Sequence, residues 1–202
     1  MNMPAVLVEV SVAGIQSLVW VTLLTLGVLG TLPPSIPSFA IFQVLSAVML
    51  AAVAYTLGVL IDRVADSLFQ TFENRIRNRR VPRGYPAEPV MRLRVLATEN
   101  GAATFLNYQR SRIRIARATA LNLTLIALVC GGLKLWRPEL DVQLLDGVVT
   151  ELGLLGSVLG LPVALYAWWR INVSYTERMA QAYSVALERV RLERRAKRSR
   201  IR

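Results

Sequence analysis

Four apolar stretches alternate with arginine-rich segments along this chain. The stretches cover residues 10–32, 39–61, 118–136 and 148–171, each close to the roughly 20 residues that a helix needs to cross a bilayer. The second stretch reads FAIFQVLSAVMLAAVAYTLGVLI, which is apolar on every face of a helix. The pattern therefore predicts an all-α, polytopic membrane protein with four transmembrane helices arranged as a bundle.

The remaining residues divide the chain into four regions. Residues 1–61 and 118–171 are each predicted to form a transmembrane hairpin, 62–117 a basic insertion and 172–202 a basic tail. Helical periodicity continues into both basic regions. In the insertion Val64, Leu68, Phe72 and Ile76, with Ala65 and Phe69 beside them, form one apolar stripe, and in the tail the apolar positions are Met179, Tyr183, Ala186 and Val190. The periodicity predicts long amphipathic helices that extend the spans.

Proline and glycine interrupt the insertion. The segment VPRGYPAEP, residues 81–89, predicts that the first helix of the insertion stops near Arg80. A second helix is expected to begin near Pro89, because proline is tolerated at the first helical position, and to run to about Asn100. A third helix then continues into the third span, so the insertion is predicted to be a helical hairpin.

The distribution of basic residues predicts the orientation. Of the 24 Lys and Arg residues, twelve lie in 62–117 and ten in 170–202. Because loops rich in Lys and Arg stay in the cytoplasm, both basic regions and both termini are expected there. Only two of the 24 are lysines, a composition typical of GC-rich bacterial genomes. We therefore expect a multi-pass protein of the bacterial inner membrane.

An arginine cluster directly precedes the third span. It consists of Arg110, Arg112, Arg114 and Arg117. Such a cluster attracts anionic lipid headgroups by about 1 kcal/mol per basic residue, so lipid contact is our first interpretation. A phosphorylated ligand or an acidic cytoplasmic protein is the alternative, because guanidinium binds two oxygens at once. Few aromatic residues alternate with the arginines, so nucleic-acid binding is not expected despite the net charge of +11.

Two acids follow the second span. Asp62 and Asp66 are four residues apart and therefore share one helical face. Repeated around a symmetric pore, and together with Gln16 and Gln43 in the spans, they would form a ring that concentrates cations. The alternative interpretation is a solvated face with salt bridges to neighbouring arginines.

Small residues recur at helical spacing in two spans. They are Ala54 and Gly58 in the second span, and Gly153, Gly156 and Gly160 in the fourth. Such positions let helix backbones approach closely in a membrane. We expect tight helix contacts there, within the subunit or between copies of a homo-oligomer.

Catalysis is not expected from this chain. It contains no histidine and one cysteine, Cys130, so common acid–base, nucleophilic and metal-binding arrangements are missing, and no cofactor or metal site is predicted. Two hypotheses follow. The first is an oligomeric channel or membrane-permeabilising effector gated through cytoplasmic helices. The second is a membrane anchor or sensor subunit that docks a cytoplasmic partner through the insertion and tail.

Overall fold

The described part of the chain is helical. The computed structural model describes residues 3–29, 40–82, 84–98, 100–136, 139 and 147–200, and no strand occurs in these ranges. The helices are α1 (Met3–Leu29), α2 (Ala40–Arg80), α3 (Glu88–Thr98), α4 (Asn100–Trp136) and α5 (Val148–Arg200). The all-α prediction is confirmed. Four of the helices, α1, α2, α4 and α5, are long and apolar enough to cross a membrane.

The helix boundaries follow the predicted turn signals. Helix α2 ends at Arg80, and α3 begins at Glu88 with Pro89 in its first turn. Between them Gly84 has a φ of 99°, in the left-handed region that favours glycine. Helix α5 continues through Pro162 for 53 residues. Four spans with both termini in the cytoplasm predict two short outer loops, residues 32–38 and 137–147, and most of both lies outside the described residues.

The chain folds into two compact units. Unit 1 comprises Gln70–Ile113 and Trp169–Arg202, together with Met1, and contains α3. Unit 2 comprises Asn2–Phe69 and Arg114–Trp168, and contains most of the four apolar stretches.

In unit 2, the backbones of α1 and α2 approach each other closely at the small residues Gly14, Ala54 and Gly58. A methyl group added at Gly58 would collide with the carbonyl oxygen of Val10, and one added at Gly14 would collide with the carbonyl oxygen of Ala54. The most apolar window of each candidate span is at most 28% buried, so most of its apolar surface faces outward. Such exposure is typical of helices whose surroundings are lipid or a neighbouring subunit.

In unit 1, α3 and the second half of α5 provide a core. Met91 and Val95 of α3 are buried, as are Met179 and Tyr183 of α5, so the predicted tail periodicity corresponds to a packed face. The predicted stripe on α2 is covered only in part. Its members Ala65 and Phe69 are covered, since Ala65 is buried and the Phe69 ring packs edge-on against Trp168. Its members Val64, Leu68 and Phe72 are about half exposed.

Candidate functional site

Unit 2 holds a cluster of five charged side chains from three helices. Arg117 of α4 is only 5% exposed and contacts both acids of α2. Its Nη1 lies 2.6 Å from Asp66 Oδ1, and its Nη2 lies 3.4 Å from Asp62 Oδ1. Arg114, one turn earlier, lies 3.8 Å from the buried Glu9 of α1. The cluster therefore links α1, α2 and α4 by charge.

This arrangement matches the salt-bridge interpretation of the α2 acids. A buried arginine needs a nearby negative charge, because desolvation of an unpaired charge costs several kcal/mol. Asp62 and Asp66 supply that charge to Arg117. The acids are thus partnered within one copy of the chain, and a cation ring formed by several copies stays a prediction.

The four predicted arginines are divided between the two units. Arg114 and Arg117 belong to the charged cluster of unit 2. Arg110 and Arg112 belong to unit 1, where the exposed Arg112 lies 5.7 Å above the Tyr108 ring. The structure therefore does not present all four as one exposed surface. Their contact with anionic lipid stays a prediction.

A second polar group in unit 2 is centred on Asn122 of α4. Its Nδ2 donates to the carbonyl oxygen of Ala13 at 3.0 Å, and its Oδ1 accepts from Trp20 Nε1 at 3.0 Å. Ser17 Oγ also lies 3.0 Å from Oδ1, and Gln16 Oε1 lies 3.4 Å from Nδ2. The network joins α1 to α4. It includes the predicted pore residue Gln16.

The predicted pore residue Gln43 lies elsewhere on unit 2. It is exposed near the start of α2, nineteen residues before Asp62, which is roughly 28 Å along a helix. The structure therefore does not bring Gln43 together with the α2 acids.

The predicted packing residues have different surroundings. Ala54 and Gly58 lie against α1 as described above. A methyl group at Gly153 would contact Cys130 Sγ, and one at Gly160 would contact the Leu123 side chain, so both glycines face α4. A methyl group at Gly156 would meet nothing within 4 Å. Gly153 and Gly160 thus allow close contact between α5 and α4, whereas Gly156 has no neighbouring atom within 4 Å of an added methyl group.

Some residues of these groups were missing from the sequence-based site prediction. Glu9 is the only acid among the first 61 residues, so its need for a cationic partner was a readable signal. Ser17 and Trp20 gave no such signal, because their role depends on which helix lies opposite them.

Unit 1 is held together by contacts of α3 with α4 and α5. Tyr175 Oη donates a hydrogen bond to Glu88 Oε1 at 2.9 Å, and Arg92 Nη2 donates to Asn107 Oδ1 at 2.9 Å. Burial, with the negative charge of Glu88, raises the pKa of the Tyr175 hydroxyl far above its ordinary value. The Arg94 guanidinium lies 5.9 Å above the Tyr183 ring. These contacts attach α3 along its inner face.

Unit 1 is also strongly basic. Its ranges contain 19 of the 24 Lys and Arg residues and only six of the 13 acids, so its formal net charge is +13, whereas unit 2 carries −2. A cleft of about 450 Å³ between Tyr85 and the end of α5 is bordered by Arg191 and Arg195, with Glu188 beside them. Charge of this kind attracts acidic partners or anionic surfaces.

The described residues contain no group of three or more side chains that could hold a metal ion. Comparison of the chain with known protein families, with curated proteins and with solved structures gives no match.

Proposed function

We propose that this chain is an anchor or sensor subunit of the bacterial inner membrane. Its four spans hold basic unit 1 on the cytoplasmic side, where unit 1 docks a protein partner. The observation that carries the proposal is the separation of charge: unit 1 has a net charge of +13, whereas unit 2 carries −2 and its buried Arg117 and Asn122 are partnered within the same copy.

The interior of unit 2 supports this proposal over a pore through one copy. Polar side chains follow α4 from Arg114 to Asn122. Beyond Asn122 the interior is mostly apolar, with Leu23, Cys130 and Leu133 in one buried cluster and Ser157 of α5 as a buried polar side chain. Asn122 and Leu133 are eleven residues apart, roughly 16 Å along a helix. A water path along the described interior would have to cross that length, where Ser157 is a buried polar side chain among mostly apolar ones.

Most exposed side chains of the spans are apolar, so the outward faces give the channel hypothesis limited support, with the exposed Gln43 of α2 as a polar exception. A pore between copies needs polar side chains directed outward from each copy. The hydroxyls of Thr25 and Thr56 face outward but donate to carbonyl oxygens of their own helices. We therefore place the channel second and the anchor first.

Flux into proteoliposomes tests this order. The purified full chain is reconstituted in neutral phosphatidylcholine vesicles, and entry of K⁺ and of a small dye is measured, with native mass spectrometry reporting the number of copies. We expect flux equal to that of protein-free vesicles. Flux that depends on the chain and falls in Asp62→Asn would overturn the anchor proposal in favour of the channel.

Crosslinking tests the docking half of the proposal. A photocrosslinking amino acid at Arg191, beside the cleft of unit 1, is expected to capture a cytoplasmic protein in cells that naturally carry the chain. The matched position is Leu152, exposed on the part of α5 that lies in unit 2. Capture of the same soluble protein from both positions, or from neither, would contradict specific docking on unit 1.

A further inference from the structure

Helix α3 is apolar on two opposite faces. Its inner face carries the buried Met91 and Val95. Its outer face carries Val90, Leu93 and Ala97, which are all exposed, with Val90 at 52% and Leu93 at 68%. At 100° per residue the three outer side chains fall within about 60° of one another. They form a stripe, which we call the α3 stripe.

The exposure of the α3 stripe is not the exposure expected of a membrane-spanning helix that faces lipid. It lies in the basic insertion, far from the four apolar stretches in the sequence. A surface helix is normally polar on its outward face, and an apolar outward stripe marks an interaction site. The two charged residues within 90–97 are both basic: Arg92 hydrogen-bonds the neutral Asn107, and Arg94, next to the stripe, lies over the ring of Tyr183.

Charge distinguishes the occupants that could cover the stripe. A second copy of unit 1 would bring another +13 against the same face, which opposes association. Helices that lie in a membrane surface carry Trp, Phe or several Leu residues on their apolar face. The α3 stripe has one Leu and no aromatic residue. An acidic amphipathic helix satisfies both features, because it supplies apolar anchors and opposite charge.

We infer that the α3 stripe docks an acidic amphipathic helix of the partner protein, with apolar residues of that helix resting on Val90 and Leu93. This inference depends on the proposed anchor function and adds the docking surface and the chemistry of the partner. The arginines of unit 1 attract the acidic helix, and the stripe determines where it binds.

Peptide binding to the intact chain tests the inference. The probe is a fluorescent helix of about 18 residues, five turns, with leucines on one face and glutamates on the others. Binding is measured by anisotropy to the full chain in neutral phosphatidylcholine nanodiscs at physiological ionic strength. A second peptide has lysine in place of every glutamate. We expect the glutamate peptide to bind and the lysine peptide not to bind.

The chain offers a matched pair of variants. Val90 and Val185 are both 52% exposed in unit 1, but only Val90 lies on the α3 stripe. Val90→Glu should raise the Kd about tenfold, from loss of one apolar contact, whereas Val185→Glu should change it less than about twofold. Leu93→Glu is the second stripe variant, and circular dichroism checks that each variant keeps its helices.

Three results would overturn the inference. They are equal binding of the two peptides, equal effects of Val90→Glu and Val185→Glu, and capture of lipid or of a second copy by a photocrosslinker at Leu93. If a crosslinker at Leu93 captures nothing while one at Arg191 captures a partner, the inference fails and the proposed function stands. If vesicle flux appears and neither position captures a protein, the proposed function itself fails.

Discussion

Replacement of Arg117 by glutamine should destabilise the bundle of unit 2. The guanidinium is nearly fully buried and lies within 3.4 Å of both Asp62 and Asp66. Removal of one partner from a buried charge pair typically costs about 3–5 kcal/mol, because the remaining charge stays desolvated. The side chain of Asp66 is 58% exposed and that of Asp62 is 24% exposed, so water can solvate both acids in part. We therefore expect a loss of about 2 kcal/mol in the free energy of unfolding.

Reversible unfolding in mixed detergent micelles, followed by circular dichroism, measures this loss. Arg112→Gln is the matched control, since Arg112 is exposed and lies over the Tyr108 ring. The control should lose less than about 1 kcal/mol. Asp62→Asn should also cost less in the Arg117→Gln background than in the native chain, because the two residues interact. We call the double contact of Arg117 with Asp62 and Asp66 the clamp. Additive effects of the two substitutions, or equal stability of Arg117→Gln and the native chain, would refute it.

Four further variants, one of them a control, test contacts within each unit by the same unfolding measurement. Gly58→Ala should destabilise unit 2 strongly, because its methyl group would collide with the Val10 carbonyl oxygen. Gly156→Ala is the control and should be tolerated, because its methyl group would meet no atom within 4 Å. Equal effects of the two substitutions would contradict the contact between α1 and α2. Asn122→Leu should cost about 2 kcal/mol through loss of several interhelical hydrogen bonds, and an unchanged stability would contradict the network. Burial raises the pKa of Tyr175, so above about pH 10 the unfolded chain releases this proton while the folded chain keeps it, and stability falls as pH rises. Tyr175→Phe should make that fall shallower, and an unchanged pH dependence would contradict the assignment.

The helices could be predicted because their signals are local. The apolar length of each span, and the Pro82–Gly84–Pro86 interruption, depend only on neighbouring residues, and α2 ends at the predicted Arg80. The packed face of the tail could also be predicted, because the apolar residues Met179 and Tyr183 are four positions apart and share the one face that is buried.

Partnerships between helices were harder to predict. The apolar stripe of α2 could be read from the sequence, but the part of it that is covered could not. Ala65 and Phe69 are covered, whereas Val64, Leu68 and Phe72 stay about half exposed, and this difference depends on where Trp168 lies. The different surroundings of the arginines have the same cause: Arg117 pairs with the acids of α2 and Arg114 with Glu9 of α1, whereas Arg112 lies over Tyr108 of its own helix.

The same uncertainty affected the choice between pore and clamp. Asp62 and Asp66 share a helix face. Both a cation ring and a double contact with one arginine need this arrangement, so the spacing does not distinguish them. The depth of Arg117 distinguishes the two arrangements, and burial of a charged residue cannot be read from spacing alone.

The central claim is that the basic insertion and tail lie together on the cytoplasmic side, where unit 1 meets its partner. Cysteine labelling of intact cells tests it most directly, in a Cys130→Ala background that removes the one native thiol. With a membrane-impermeant maleimide, Ser35→Cys should label in intact cells, and Ser199→Cys should label only after the membrane is opened. Labelling of Ser199→Cys in intact cells, with Ser35→Cys protected, would contradict the account.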